Sequence, residues 1–204
     1  CAGPFNFSAI NNRGAREAQG DYLVLLNNDT AVLHEEWLAE MLGIAGQSDV
    51  GAVGAKLHYP DGRVQHAGVV LGMGDAPAEH PFLGAAADET GYFGRLLLTQ
   101  EYAAVTAACL LVKKSIYLEA GGLDETRFQV SYNDVDFCQR LRKQGLRVVF
   151  TPHAKLLHEG SVSQKSTVED AAQVAKQARF AEEQNRFYDA WRHDVAFDPY
   201  FNRN

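Results

Sequence analysis

The stretch Gly20-Asp21-Tyr22-Leu23-Val24-Leu25-Leu26-Asn27-Asn28-Asp29-Thr30 decides the fold. Its five apolar residues, Tyr22 to Leu26, end abruptly in an Asn/Asp run. That pattern predicts a short strand covered on both faces. On either side the periodicity becomes helical. Phe7 to Ala18 predicts a helix that stops at Gly20. Downstream, Glu35 and Glu36 are expected in the first turn of a second helix, where carboxylates suit the positive end of the dipole. Trp37, Leu38, Met41, Leu42 and Ala45 form its apolar stripe. Val50 to Leu57 predicts another strand, and Tyr59-Pro60-Asp61-Gly62 a turn. Strands alternating with helices define an α/β domain. Ligands of open α/β sheets bind beyond the carboxyl ends of the strands, which directs attention to Asn27, Asn28 and Asp29.

The remainder extends this pattern. Val64 to Gln100 is rich in Gly, Ala and Pro and predicts hairpins and loops. Val105 to Val112 predicts a buried strand, and Ser115 to Ala120 a short helix closed by Gly121-Gly122. Asp134 to Gln144 predicts a helix closed by Gly145, followed by a strand from Arg147 to Thr151 that Pro152 stops. Lys155 to His158 predicts a further short strand. Thr167 to about Asp194 predicts a long amphipathic helix with a stripe of Val174, Ala178, Phe180, Phe187 and Trp191. The expected division is a main domain over 1–165 and a helical extension over 166–204.

Composition narrows the function. The chain has 204 residues, 46% hydrophobic and 22% charged, which is ordinary globular usage. A net charge of -7 argues against general nucleic-acid binding and gives no support for attraction to an anionic membrane. The apolar stretch Ala103 to Val112, broken by Thr106, falls well short of the roughly 20 residues of a spanning helix. No transmembrane segment is predicted, and the expected location is cytoplasmic, at most peripheral to the inner face of the membrane. Cys1, Cys109 and Cys138 have neither zinc-knuckle spacing nor an even count, and the latter two read as buried thiols.

Three polar clusters stand at the ends of apolar elements. In Asn27-Asn28-Asp29, Asp29 is a hard oxygen ligand suited to Mg²⁺ or Mn²⁺ on a diphosphate; a turn built from Asn and Asp explains the same residues. In Asn133-Asp134-Val135-Asp136, Asp134 at a helix start can take a proton from an attacking hydroxyl; an N-cap is the plainer explanation. Asp136, roughly 200° further round, is expected to pair with Arg140 instead. In His158-Glu159-Gly160-Ser161 the imidazole is a candidate metal ligand, with His153 as its competitor.

Together these clusters occur in an order that resembles family 2 glycosyltransferases of the GT-A fold. The likeness is nearest to bacterial members that act on polysaccharides and rhamnose-containing glycans. It spans roughly residues 5 to 165. Asn11-Asn12-Arg13-Gly14, Gly20 to Thr30, VGAVGAKLHYPDGRVQHAG (Val50 to Gly68) and TAACLLVKK (Thr106 to Lys114) carry it. So do GGLDE (Gly121 to Glu125), NDVDFCQRLRKQGLRVVFTP (Asn133 to Pro152) and the His158 to Ser161 segment.

The resemblance implies an inverting, metal-dependent enzyme of the α/β class. It implies a mixed, Rossmann-like sheet flanked by helices, and a nucleotide-diphosphate sugar, UDP- or dTDP-linked, as donor to a glycan acceptor in polysaccharide synthesis. Asp134 becomes the base. Asp29 and His158 become ligands to a divalent cation, Mn²⁺ or Mg²⁺, with Asn27 in the first position of a DxD-type motif. Asn27, Asn28, Asn12 and Arg13 are expected on the donor side, Arg13 having a helix-surface salt bridge as its other explanation. Ala107, His66 and Tyr132 are expected on the acceptor side. Asn133 departs from the family's usual Glu, and Ala107 from its common Gly. The family's first strand, of type VSVIIP, and a second strand ending in an Asp near the nucleotide base have no counterpart here. The chain is therefore expected to be a piece of a longer enzyme, without the nucleotide-binding half and with further domains. The alternatives are a non-catalytic module of the same fold and a nucleotidyltransferase; the latter needs a basic, Gly-rich phosphate loop that is not seen.

Overall fold

The structure is a computed structural model that describes residues 5–160 and 171–201. In chain order the elements are α1 (Phe7–Glu17), β1 (Tyr22–Leu26), β2 (Thr30–Val32), α2 (Trp37–Ala45) and β3 (Val50–His58). Then come β4 (Val64–His66), β5 (Val70–Leu71), β6 (Ala78–Glu79), a 3₁₀ turn (Tyr92–Leu97), β7 (Gln100–Glu101) and β8 (Cys109–Lys113). The last are α3 (Lys114–Glu119), α4 (Asn133–Lys143), β9 (Arg147–His158) and α5 (Ala171–Ala196). The main sheet runs β1-β8-β3-β9-β2, with β4 on β3 and β7 on β9. Only its β3–β9 pair is parallel, so the sheet is mixed, as predicted. The hairpin β5–β6 stands apart.

Alternation along the strands divides the core into two layers. Cys109, Leu111 and Val149 face α2, against Met41 and Ala45. Leu110, Val112, Val148 and Phe150 face the opposite layer, with Tyr117, Phe128, Phe137, Leu141 and Phe187. Cys109 and Cys138 are buried free thiols, each pushed up to about 12 by burial.

Four expectations need correction. The strand enclosed on both faces is β3, buried at every residue, not β1. β1 alternates, with Leu23 and Leu25 inside and Leu26 exposed, because among the described residues it pairs only with β8. β3 lies between β8 and β9, with β4 on its end, and reads Gly-Ala-Val-Gly-Ala because space is short. A Cβ on Gly54 would collide with the Val105 side chain.

Pro152 does not end a strand. Ala55 faces Thr151 and Lys56 faces Lys155, so Pro152, His153 and Ala154 form a bulge from which β9 resumes its ladder. Glu35 and Glu36 precede α2, Glu36 being its N-cap, and Glu40 is the acid of its first turn.

In α5 the inward stripe matches the predicted one at Phe187 and Trp191 but not in its first half. Val174, Ala178 and Phe180 are exposed, while Glu183, Phe187 and Val195 are buried and Trp191 packs beside them. The predicted start of this helix, Thr167 to Asp170, lies outside the described residues.

Candidate functional site

At the carboxyl end of the sheet, β2 lies antiparallel to the last turns of β9. Thr30 faces His158, and the Glu159 amide donates to the Asp29 carbonyl at 3.0 Å. This register places Asp29 and His158 side by side, with Asp29 Oδ1 3.2 Å from His158 Nε2. The Asn27 amide nitrogen lies 3.1 Å from the same Nε2. The Asn27 carbonyl accepts from the Thr30 hydroxyl, closing the turn that aims the cluster. Asn28 is exposed at that turn. His153 is exposed on the β9 bulge, so of the two histidines only His158 joins Asp29.

Gln65 on β4 determines which ring nitrogen of His158 is free. Its amide nitrogen donates to the His158 carbonyl at 3.0 Å, which turns its Oε1 toward His158 Nδ1. The network therefore puts the imidazole proton on Nδ1 and leaves a lone pair on Nε2. That lone pair accepts from the Asn27 amide and lies 3.2 Å from Asp29 Oδ1, so the two electron-rich atoms together could hold a cation. The Asp29 carboxylate and the His158 imidazole are the groups that could serve as its protein ligands, with Asn27 beside them. Among the described residues no group of three or more His, Cys, Asp or Glu side chains converges. Gln65 was not among the residues singled out in the sequence, although it lies within the matching stretch Val50 to Gly68.

The second half of the site is built on α4. Asp134 Oδ2 accepts from the Ala107 amide at 2.9 Å, and Oδ1 from the Val135 amide at 2.8 Å. Both oxygens keep lone pairs toward a cavity of about 370 Å³ lined by Glu79, His80, Tyr132, Gln184 and Phe180. Ala107 thus acts through its backbone. The plainer explanation of this cluster, an N-cap, does not hold for Asn133: the cap position is Tyr132, and the Asn133 amide donates back to the Val130 carbonyl. Tyr132 is held at φ 61 in the left-handed region, a costly conformation for a bulky residue.

What holds it is α5. The buried Glu183 carboxylate accepts from the amides of Gln129, Val130 and Ser131 at 2.8, 3.2 and 2.6 Å. Phe187 stacks on Tyr132 with centroids 5.2 Å apart, and Gln184 donates to its hydroxyl at 3.0 Å. Asp136 accepts from Arg140, as predicted, and also from the Trp191 indole at 2.9 Å.

His66 lies behind the cavity. Its Nε2 accepts from the amides of Gly68 and Thr106, so its proton sits on Nδ1, 2.9 Å from His80 Nδ1. Burial first, then the charges of His80 and His158, holds His66 well below its ordinary value. Burial lowers His80 too, against the opposing pull of Asp134 and Glu79.

Two expected donor-side residues are engaged elsewhere. Asn12 ties α1 to the Gly121–Glu125 loop: its Oδ1 accepts from the Tyr117 hydroxyl and the Leu123 amide, and its Nδ2 donates to Leu123 and Glu125. Arg13 forms an exposed i,i+4 pair with Glu17, the other explanation weighed for it. No hydrogen bond or ion pair among the described residues joins either to Asp29 or His158.

Known proteins resemble this chain in sequence and in fold. The family model described as glycosyltransferase like family 2 matches residues 6–183. A protein of Sinorhizobium fredii, y4gI, is 45% identical over the whole chain. The O-antigen biosynthesis protein RfbC of Myxococcus xanthus is 44% identical over 80% of it. The chain spans only 22% and 13% of these relatives' own lengths. Among solved structures, the mannosyltransferase PcManGT of Pyrobaculum calidifontis, in complex with GDP-Man and Mn²⁺, aligns over 94% of this chain and 44% of its own. Its TM-score is 0.55 at 16% identity. GalNAc-T7, with UDP, GalNAc and Mn²⁺, aligns over 99% of this chain and 40% of its own, at TM-score 0.60 and 12% identity. Among the described residues no helix is long and apolar enough to cross a membrane. Fold, ordered motifs and sequence identity converge: the chain belongs to glycosyltransferase family 2 and has the GT-A architecture.

Proposed function

We propose that this chain is the catalytic portion of an inverting glycosyltransferase that moves a sugar from a UDP- or dTDP-linked donor to a hydroxyl of a glycan in cell-surface polysaccharide synthesis. The observation that carries the reading is the unprotonated Nε2 of His158 paired with Asp29 at the sheet end, together with a cavity lined by Asp134. The name of the Myxococcus xanthus relative, an O-antigen biosynthesis protein, supports the polysaccharide context. The metal- and nucleotide-bearing neighbours support the donor class.

In this reading Asp29 and His158 hold a divalent cation, Mn²⁺ or Mg²⁺, whose charge when bound offsets the negative charge on a leaving diphosphate. Asn27 and Asn28 contribute neutral contacts on the donor side. Asp134, steadied by the amides of Ala107 and Val135, takes the proton from the acceptor hydroxyl as it attacks the anomeric carbon from the opposite side. Tyr132 shapes the acceptor cavity, and His66 supports it from behind through His80. Asn12 and Arg13 are given no donor contact in this reading, Asn12 being bonded to the Leu123 carbonyl and Arg13 to Glu17.

Calorimetric titration of the intact protein with UDP and dTDP, each with and without Mn²⁺, tests the reading. Metal-dependent binding lost in Asp29→Ala is expected. In Asp134→Asn, binding should persist while transfer falls by about 10²–10⁴-fold, the usual worth of a general base. Absence of nucleotide binding by the folded intact protein would favour a non-catalytic module.

A further inference from the structure

The cavity beside Asp134 contains a second carboxylate that no contact among the described residues explains. Glu79, on β6, is half-buried and lines the cavity with Asp134. Its carboxylate makes no hydrogen bond and no ion pair among the described residues, yet its charge acts on both His80 and Tyr132. A half-buried carboxylate without a partner is costly, and a cleft is where that cost serves a ligand. No Lys or Arg among the described residues lines the cavity.

The wall behind Glu79 is fixed. The hairpin β5–β6 sets Glu79 opposite Val70. His80, the next residue, is pinned by the His66 proton on its Nδ1. It therefore keeps no basic nitrogen on that side to compete with Asp134. Facing the hairpin, Tyr132 and Phe180 stand 5.7 Å apart as an aromatic surface. Aromatic surface on one side and acceptor-only oxygens on the other match a pyranose ring, which has apolar C–H faces and a rim of hydroxyl donors.

We propose that Glu79 is the acceptor-positioning residue: it holds a hydroxyl neighbouring the one that Asp134 deprotonates, and so selects a neutral sugar and excludes an acidic one. The proposal rests on the reading of Asp134 as base. Two carboxylates in one cleft repel a uronate, while each accepts readily from a neutral diol. Charge-assisted hydrogen bonds of this kind are individually strong.

The test compares matched acceptors with the intact protein. Methyl glycosides of gluco, galacto and manno configuration are titrated beside their uronates by saturation-transfer NMR. At least one neutral glycoside should bind about tenfold more tightly than its uronate. Glu79→Gln should weaken the neutral glycoside about tenfold and narrow its advantage, with Mn²⁺-dependent nucleotide binding unchanged. Glu79→Asp, which keeps the charge, should retain the preference for the neutral partner. Equal binding of neutral and acidic partners by the natural protein, or no response to Glu79→Gln, overturns the proposal. If no glycoside binds while Mn²⁺-dependent nucleotide binding is intact, this assignment falls and the transferase reading stands. If neither nucleotide nor glycoside binds, both fall.

Discussion

The two halves of the site are held by different means. Asp29 and His158 are brought together by a backbone ladder, the β2–β9 pairing and the Glu159 to Asp29 bond. Any residues in that register would be neighbours. Asp134 depends on side chains. The loop before it is fastened by Glu183, Gln184 and Phe187 from a helix some fifty positions later in the chain. A ladder spreads its stability over many equivalent bonds, whereas a clamp concentrates it in a few side chains. The base side is therefore the half that single substitutions should damage most.

Glu183→Ala provides the largest expected effect. It strands three amides, each worth about 1–3 kcal/mol when buried without a partner, so a loss of about 3 kcal/mol or more is expected in urea unfolding. Transfer should fall with it, because Tyr132 loses the loop that enforces its left-handed conformation. Mn²⁺-dependent nucleotide binding by the remaining folded protein should stay within about twofold, since the ladder side is untouched. A parallel loss of nucleotide binding would break the comparison.

Gln65→Leu probes the other half. Its removal frees His158 to exchange tautomers, and losing the partner that orients a metal-binding imidazole costs about 10–100-fold in metal affinity. Mn²⁺ titration should register that loss while transfer at saturating Mn²⁺ largely recovers. No change in affinity would remove Gln65 from the role of orienting His158.

The difference between the halves also explains what the sequence disclosed. Ladder residues stand at the ends of apolar runs, so Asn27, Asp29 and His158 were visible where strands stop. The Asp136–Arg140 pair was visible because i,i+4 spacing is local. Glu183 carried no such signal: on α5 it reads as one more surface acid among Glu182, Arg179 and Arg186. Its burial depends on a loop more than fifty residues away. The predicted stripe on α5 held at Phe187 and Trp191 and failed in its first half for the same reason. Val174 and Ala178 are apolar but exposed and Phe180 is half-exposed at the cavity, while the Glu183 carboxylate is buried, because polar backbone awaited it there. β1 was misread as doubly covered because an unbroken apolar run reports hydrophobicity, not the number of neighbours a strand finds. Pro152 marked a bulge where a strand end was expected, since composition cannot tell an interrupted ladder from a finished one.

Acid titration sharpens the comparison behind the base. His66 and His80 both have folded values below the unfolded value near 6.5. The stability gained by keeping them neutral is complete above that value and is lost as pH falls toward the folded values. The slope is at most about 1.4 kcal/mol per pH unit for each histidine. Burial lowers His58 as well, so urea midpoints taken from pH 7.5 to 5 should fall below about pH 6.5, and His66→Asn should flatten the slope by about a third. An unchanged slope in that variant would show that other groups govern acid unfolding.

The smallest expected effect isolates one contact of the clamp. Asp136 is buried between a local partner, Arg140, and a distant one, the Trp191 indole. Trp191→Phe keeps an aromatic ring against the core and removes the N–H, leaving one carboxylate oxygen without its donor at a cost of about 1–2 kcal/mol. Because Arg140 still holds the other oxygen and also donates to the Ala120 and Gly122 carbonyls, α4 should remain in place. Transfer should then decline less than in Glu183→Ala, although both substitutions loosen α5. That ordering follows only if Glu183, which touches the loop itself, positions Asp134 and Trp191 merely anchors the helix. Equal losses of transfer in the two variants would make α5 a single rigid support, with no special place for Glu183.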